Sequence, residues 1–96
     1  MEIKEAKKIS NSLKPFIQIG KRGLNEEVIK EIEKNLKKRK LIKIKCLKYY
    51  IESIEGNNNK EKIKKTAEII SEKTKSKIIS IIGFNITIAK GLTKVK

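Results

Sequence analysis

The sequence predicts an α/β domain: one four-stranded sheet packed with three helices, in the order α-β-α-β-α-β-β. Three observations carry that prediction. Stretches with apolar residues every three or four positions alternate with short β-branched runs, the pattern of helices layered on a sheet. Pro15, Gly20, Gly23, Gly56 and Gly83 all fall between those stretches and punctuate the chain. The 96 residues, 38% of them hydrophobic, suffice for one small core and not for two. Residues 1–96 are therefore one expected domain, with 90–96 as a basic tail.

Ile3, Ala6, Ile9 and Leu13 line one face of a helix over 2–13, with Ser10 beside Ile9 and Lys4, Glu5, Lys7 and Lys8 outside the stripe. Pro15 ends it, because a proline pushes the residue before it out of the helical region. Phe16-Ile17-Gln18-Ile19 is a short buried strand, β-branched and aromatic, stopped by Gly20. Asn25 then caps a helix over 25–39, its side chain placed to accept from orphan N–H groups of the first turn. Glu26 and Glu27 suit the positive end of that helix, and Lys37, Lys38, Arg39 and Lys40 the negative end. Its stripe is Leu24, Val28, Ile32 and Leu36, with Ile29 alongside; Glu26–Lys30 and Glu33–Lys37 are favourable i,i+4 pairs.

Leu41 to Leu47 alternates, with Ile42, Ile44 and Cys46 on one face of a strand and Lys43 and Lys45 on the other. Tyr49 to Glu55 fits either a short helix, with Tyr50, Ile51 and Ile54 inward, or an extension of the strand. Gly56-Asn57-Asn58-Asn59 is a turn, and Asn59 is placed to cap a helix over 60–74 with the stripe Ile63, Ala67, Ile70 and Thr74, Ile69 at its edge. Lys77 to Ile82 reads as a strand covered on both faces, and Asn85 to Ala89 as a last, alternating strand beyond Gly83. Phe16, Cys46 and Phe84 are expected in the core.

Lys and Arg number 25 against 11 acids, a net charge of +14. Residues 1–40 hold twelve cations against six Glu, and residues 60–96 ten against three, so the charge belongs to the folded body. An excess of this kind favours a polyanionic partner: nucleic acid or an anionic membrane surface. No helix joins a wide, bulky apolar face to its basic residues, and no apolar run approaches the ~20 residues of a span, so a membrane is not the expected partner. Met1 to Asn11 has no apolar signal core, and the expectation is a soluble, cytoplasmic protein. The sequence has no His and no Asp, which excludes His-based nucleophile triads and His/Cys zinc sites. The single Cys excludes an internal disulfide. No enzymatic activity, cofactor, metal or small-molecule substrate is expected.

Gly20-Lys21-Arg22-Gly23 joins a strand to a helix N-terminus, an arrangement suited to anions. Glycine lets a phosphodiester approach the backbone, and the helix start offers unpaired N–H groups and partial positive charge. Lys21 and Arg22 project between the glycines, and Arg22 can grip a phosphate with two N–H groups. A G-x-x-G loop of this kind is how KH domains clamp a nucleic-acid backbone. The plain alternative is a tight strand-to-helix turn with solvated cations. Arg39, Lys40 and Lys43 are further candidate RNA contacts; the alternatives are compensation of the helix dipole at 37–40 and the wet face of a strand at Lys43 and Lys45. Tyr49 and Tyr50 can stack on bases or pack at the rim of the core.

The segment Leu13-Lys14-Pro15-Phe16-Ile17-Gln18-Ile19-Gly20-Lys21-Arg22-Gly23-Leu24 resembles the signature of the CRM domain, the YhbY-like RNA-binding family. That family carries leucine-lysine-proline, a short strand, then G-x-x-G-leucine. Glu31-Ile32 through Leu41-Ile42-Lys43-Ile44-Lys45 resembles its second helix and the strand after it, and Ile79-Ser80-Ile81-Ile82-Gly83 its third strand ending in glycine. The resemblance implies an α-β-α-β-α-β-β domain related to the C-terminal domain of a bacterial translation initiation factor. It implies RNA binding and, as for stand-alone members, association with precursors of the large ribosomal subunit. By position it assigns RNA contact to Gly20, Lys21, Arg22 and Gly23, with Lys14 just upstream. The sequence departs from the family in two places. Lys48 to Asn59 is longer than the usual connection, and the last strand ends Ile88-Ala89-Lys90 where a leucine-tyrosine-arginine is usual.

The expected function is thus a non-enzymatic RNA-binding module whose partner is ribosomal RNA or a pre-ribosomal particle. Two alternatives stand beside it. One is an Alba-type chromatin protein that coats DNA or RNA, to which Ile19-Gly20-Lys21 is similar while Arg22-Gly23-Leu24 is not. The other is a structural ribosomal protein.

Overall fold

The computed structural model describes residues 3–91. Its elements are α1 (Ile3–Ser12), β1 (Ile17–Ile19), α2 (Glu26–Arg39), β2 (Leu41–Cys46), α3 (Lys48–Ser53), α4 (Asn59–Thr74), β3 (Lys77–Ile82) and β4 (Asn85–Ala89). The strands form one mixed sheet in the order β1-β2-β4-β3. β1 lies parallel to β2, with Ile17, Gln18 and Ile19 opposite Ile44, Lys45 and Cys46. β4 is antiparallel to both neighbours, and its pairing with β3 is broken by an irregularity between Ile78 and Ser80.

Alternation along the strands explains the two layers of helices. Ile17, Ile19, Ile42, Ile44, Cys46, Ile86 and Ile88 face one way and pack with Ile32 and Leu36 of α2, Tyr50 and Ile51 of α3, and Ile63, Ala67 and Ile70 of α4. The neighbouring residues Leu41, Ile79 and Ala89 face the other way and pack under Ala6 of α1, with Leu13 at the margin. α2 begins as its sequence predicts: the Val28 N–H donates to Asn25 Oδ1 at 2.8 Å. It ends at Lys40, which takes the left-handed conformation (φ 66°) and donates its N–H to the Leu36 carbonyl. α4 ends the same way at Lys75 (φ 52°).

Several expectations are corrected. Four helices, not three, are found among the described residues, because Lys48–Ser53 forms α3, the helical one of the two readings open for Tyr49 to Glu55. Buried Tyr50 and Ile51 drive this, and the Tyr50 hydroxyl bonds to Thr66 Oγ1 at 2.9 Å, tying α3 to α4. Asn58, not Asn59, caps α4, accepting from the Glu61 N–H at 2.8 Å. In α1 the inward residue is Ser10, not Ile9; the Ser10 hydroxyl donates to the Lys7 carbonyl and accepts from Ser80, which makes its burial tolerable. β3 is an edge strand with Ile81 and Ile82 partly exposed, not a strand covered on both faces. Phe16 lies outside the core, 47% exposed, because the inward positions of β1 are Ile17 and Ile19. Of the expected tail, Lys90 is tied down by its N–H to the Lys40 carbonyl at 2.9 Å, and 92–96 lies outside the described residues.

Candidate nucleic-acid interface

β1 delivers the chain to the Gly20–Gly23 loop at the end of the sheet where β2 also finishes. The loop is a tight turn, closed by the Gly23 N–H donating to the Gly20 carbonyl at 2.9 Å. Gly23 needs its lack of a side chain: its φ is +67°, the left-handed region. Two residues later Asn25 starts α2. Its cap serves the Val28 N–H, so the earlier N–H groups of the turn keep no intrahelical acceptor. Lys21 and Arg22 are both exposed at the tip. Arg22 reaches Glu27 at 3.7 Å, with both side chains more than 80% exposed. An open pair of this type is worth about 0–1 kcal/mol and yields readily to a stronger anion.

The start of α3 buttresses the loop. The Leu47 N–H donates to the Ile19 carbonyl at 2.8 Å, and a Cβ on Gly20 would stand 3.2 Å from Leu47 Cδ1. The Tyr50 ring lies beneath Gly23, where a Cβ would be 3.9 Å from Cδ1 and Cε1. Burial raises the Tyr50 phenol above its ordinary pKa; the hydrogen bond to Thr66 works against that rise and the nearby Cys46 adds to it. Burial likewise pushes the Cys46 thiol up to about 12, which fits its expected place in the core. With Tyr50 turned inward, helical geometry turns its neighbour Tyr49 out, 66% exposed. The Lys21 ammonium lies 5.8 Å from the centre of the Tyr49 ring.

The other predicted cations gather elsewhere. Arg39 and Lys40 lie at the far end of α2, fourteen residues and therefore about 21 Å from its start. Lys43 is near the beginning of β2, and its carbonyl accepts from the Phe16 N–H at 2.8 Å. Lys14 is exposed two residues before Phe16. The Arg39 guanidinium stacks over the Phe16 ring at 4.2 Å. The eight expected contact residues thus form two groups, Gly20 to Gly23 at one end of the sheet and Lys14, Arg39, Lys40 and Lys43 at the other. Sequence reasoning did not single out Phe16 for the second group. The signal was there: it immediately precedes the Ile17–Ile19 alternation, out of step with the inward face.

A strand, a G-x-x-G turn and a capped helix on a mixed sheet with helices on both faces define an α/β module with an anion-ready loop. The model of the CRS1/YhbY (CRM) domain family matches residues 1–90, and the chain belongs to that family. It is 31% identical over 81 residues to the Probable RNA-binding protein YqeI of Bacillus subtilis, a match covering 84% of this chain and 75% of that one. It is 32% identical over 79 residues to the Probable RNA-binding protein MJ0652 of Methanocaldococcus jannaschii, covering 82% of this chain but only 53% of the archaeal protein. Among solved structures it is similar to the hypothetical protein SAV1595 of Staphylococcus aureus, a candidate RNA-binding protein, with a TM-score of 0.72, 34% identity, and coverage of 99% of this chain and 90% of that one.

Proposed function

We propose that this chain is a non-enzymatic RNA-binding module of the cytoplasm that engages structured ribosomal RNA, in precursors of the large subunit, through its Gly20–Gly23 loop. The observation that carries the reading is the loop itself: a left-handed Gly23 leading into the capped start of α2, with Lys21 and Arg22 exposed at its tip and Arg22 held only by an open pair with Glu27. Membership of a family whose relatives are named for RNA binding supports it. The net charge of +14 supports a polyanionic partner.

The test is crosslinking in cells followed by sequencing of the bound nucleic acid, paired with filter binding. Recovery of large-subunit ribosomal RNA is the expected outcome, and genome-wide DNA would favour the Alba-type alternative instead. In vitro, replacing Lys21 and Arg22 by Ala should weaken RNA binding strongly with a melting temperature close to wild type, since both side chains are exposed. Affinity should fall with salt with a log–log slope of roughly 3 to 5, and the double variant should lower that slope by about 1–2. Unchanged affinity in that variant would remove the loop from the site.

A further inference from the structure

Two exposed aromatic rings, each beside a cation, mark the two ends of the loop-bearing edge of the sheet. We propose that Tyr49 and Phe16 are base-stacking residues, and that an unpaired RNA segment runs along β1 from one to the other. This rests on the proposed RNA-binding function and extends it from phosphate contact at one loop to base contact along an edge.

The placement argues for it. β1 is the outer strand on its side of the sheet, and Tyr49 and Lys21 sit at its finish while Phe16 and Arg39 sit at its start. The three residues of β1 span about 10 Å, with Phe16 just before them and the Gly20–Gly23 turn just after. Between them Gln18 and Lys45, partners across the β1–β2 ladder, are both exposed and offer a polar and a cationic contact. Tyr49 is 66% and Phe16 47% exposed, in a chain whose other Tyr is enclosed in the core.

The chemistry selects the ligand. In a duplex the base faces are occupied by their neighbours, so exposed rings have nothing to stack on except at an end. In a single strand each base offers a free π-face, and aromatic side chains along a positive groove are how such strands are held. At Phe16 the ring backs the Arg39 guanidinium, whose plane is itself a stacking surface for a base. At Tyr49 the ring takes the base and Lys21, only loosely placed at 5.8 Å, takes the adjoining phosphate. The preferred RNA is then a structured element flanked by an unpaired stretch, with its fold at the loop and its single strand along β1.

The experiment compares a blunt RNA hairpin with the same hairpin carrying an unpaired extension of about eight nucleotides, within the range a single module covers. Wild type should bind the extended RNA more tightly. Tyr49→Leu and Phe16→Leu keep apolar bulk but remove the π-face; each should lose about 5- to 100-fold on the extended RNA and little on the blunt one, with unchanged melting. Tyr49→Phe should bind as wild type. The chain has no Trp and two Tyr, so quenching of tyrosine fluorescence on binding reports Tyr49 against an enclosed Tyr50, and it should vanish in Tyr49→Phe. Equal binding of both RNAs, with both Leu variants at wild-type affinity, overturns the stacking proposal; the Lys21/Arg22 double variant still losing affinity would then leave the proposed function standing. Failure of wild type to bind either RNA overturns both.

Discussion

Replacing Gly23 by Ala separates backbone strain from steric conflict at the loop. The added methyl would stand 3.9 Å from the Tyr50 ring, ordinary contact distance, so crowding contributes little. What remains is the left-handed backbone at φ +67°, which costs an L-residue about 1–2 kcal/mol. Stiffening of the unfolded chain returns roughly 0.4–1 kcal/mol, leaving a net loss near ~1 kcal/mol. For a domain of this size that is a fall of about 4–8 °C in Tm. Gly83 supplies the control: its φ is +58° and nothing lies within 4 Å of its would-be Cβ, so Gly83→Ala should fall by the same amount. The assays are thermal unfolding by circular dichroism and RNA filter binding. Both variants should melt together, but only Gly23→Ala should lose RNA affinity beyond its stability loss, because only it places a methyl on the turn proposed to meet phosphate. Wild-type melting of Gly23→Ala would refute the strain argument, and equal RNA affinity of the two variants would refute the close approach at Gly23.

Other outcomes follow from the same geometry. Glu27→Gln frees Arg22 and removes a negative charge beside the loop, so RNA affinity should rise, measured at low salt where exposed charges act most strongly. Lys75→Gly relieves a left-handed lysine at the end of α4 and should raise stability by up to about 1 kcal/mol in urea unfolding. The Cys46 thiol is raised from 9.0 to about 12 in the fold, so its stabilising effect is complete below pH 9 and is lost as the pH climbs toward 12. Tyr50 shifts in the same direction. Alkaline unfolding should therefore be shallower in Cys46→Ala than in wild type, compared over that window by chemical denaturation.

Much of this architecture was legible because local and long-range preferences agree. The α2 stripe, its Asn25 cap and the Ile42–Ile44–Cys46 alternation all point to one burial pattern, and the fold adopts it. The candidate loop was legible for the same reason, since glycines and cations stand between a clear strand and a clear helix start. The failures have separate physical causes. Three successive asparagines offer near-equivalent caps, and only the packing of α4 selects Asn58. Tyr49 to Glu55 is too short for periodicity to decide between helix and strand. The division of the cations into two groups depends on α2 running back along the sheet, which spacing in sequence does not reveal.

The other border of the sheet has a different significance. β3 offers an outer row of backbone groups six residues long, with Ile81 and Ile82 partly exposed near its end. Its opposite number, β1, is only three residues long and preceded by Pro15, a border too short to template another strand. The irregularity at Ile78–Ser80 bends β3 but leaves its last residues available. Mutual repulsion between molecules carrying +14 each opposes the pairing of two such borders. That repulsion is collective and conditional: at 1 M salt its range shrinks to about 3 Å, and a saturating short polyanion cancels it outright. Resistance to that pairing then comes from the same kind of charge that is proposed to meet RNA. Conditions that silence that charge should bring β3 edges together, first as turbidity at high concentration and then as pairing between strands.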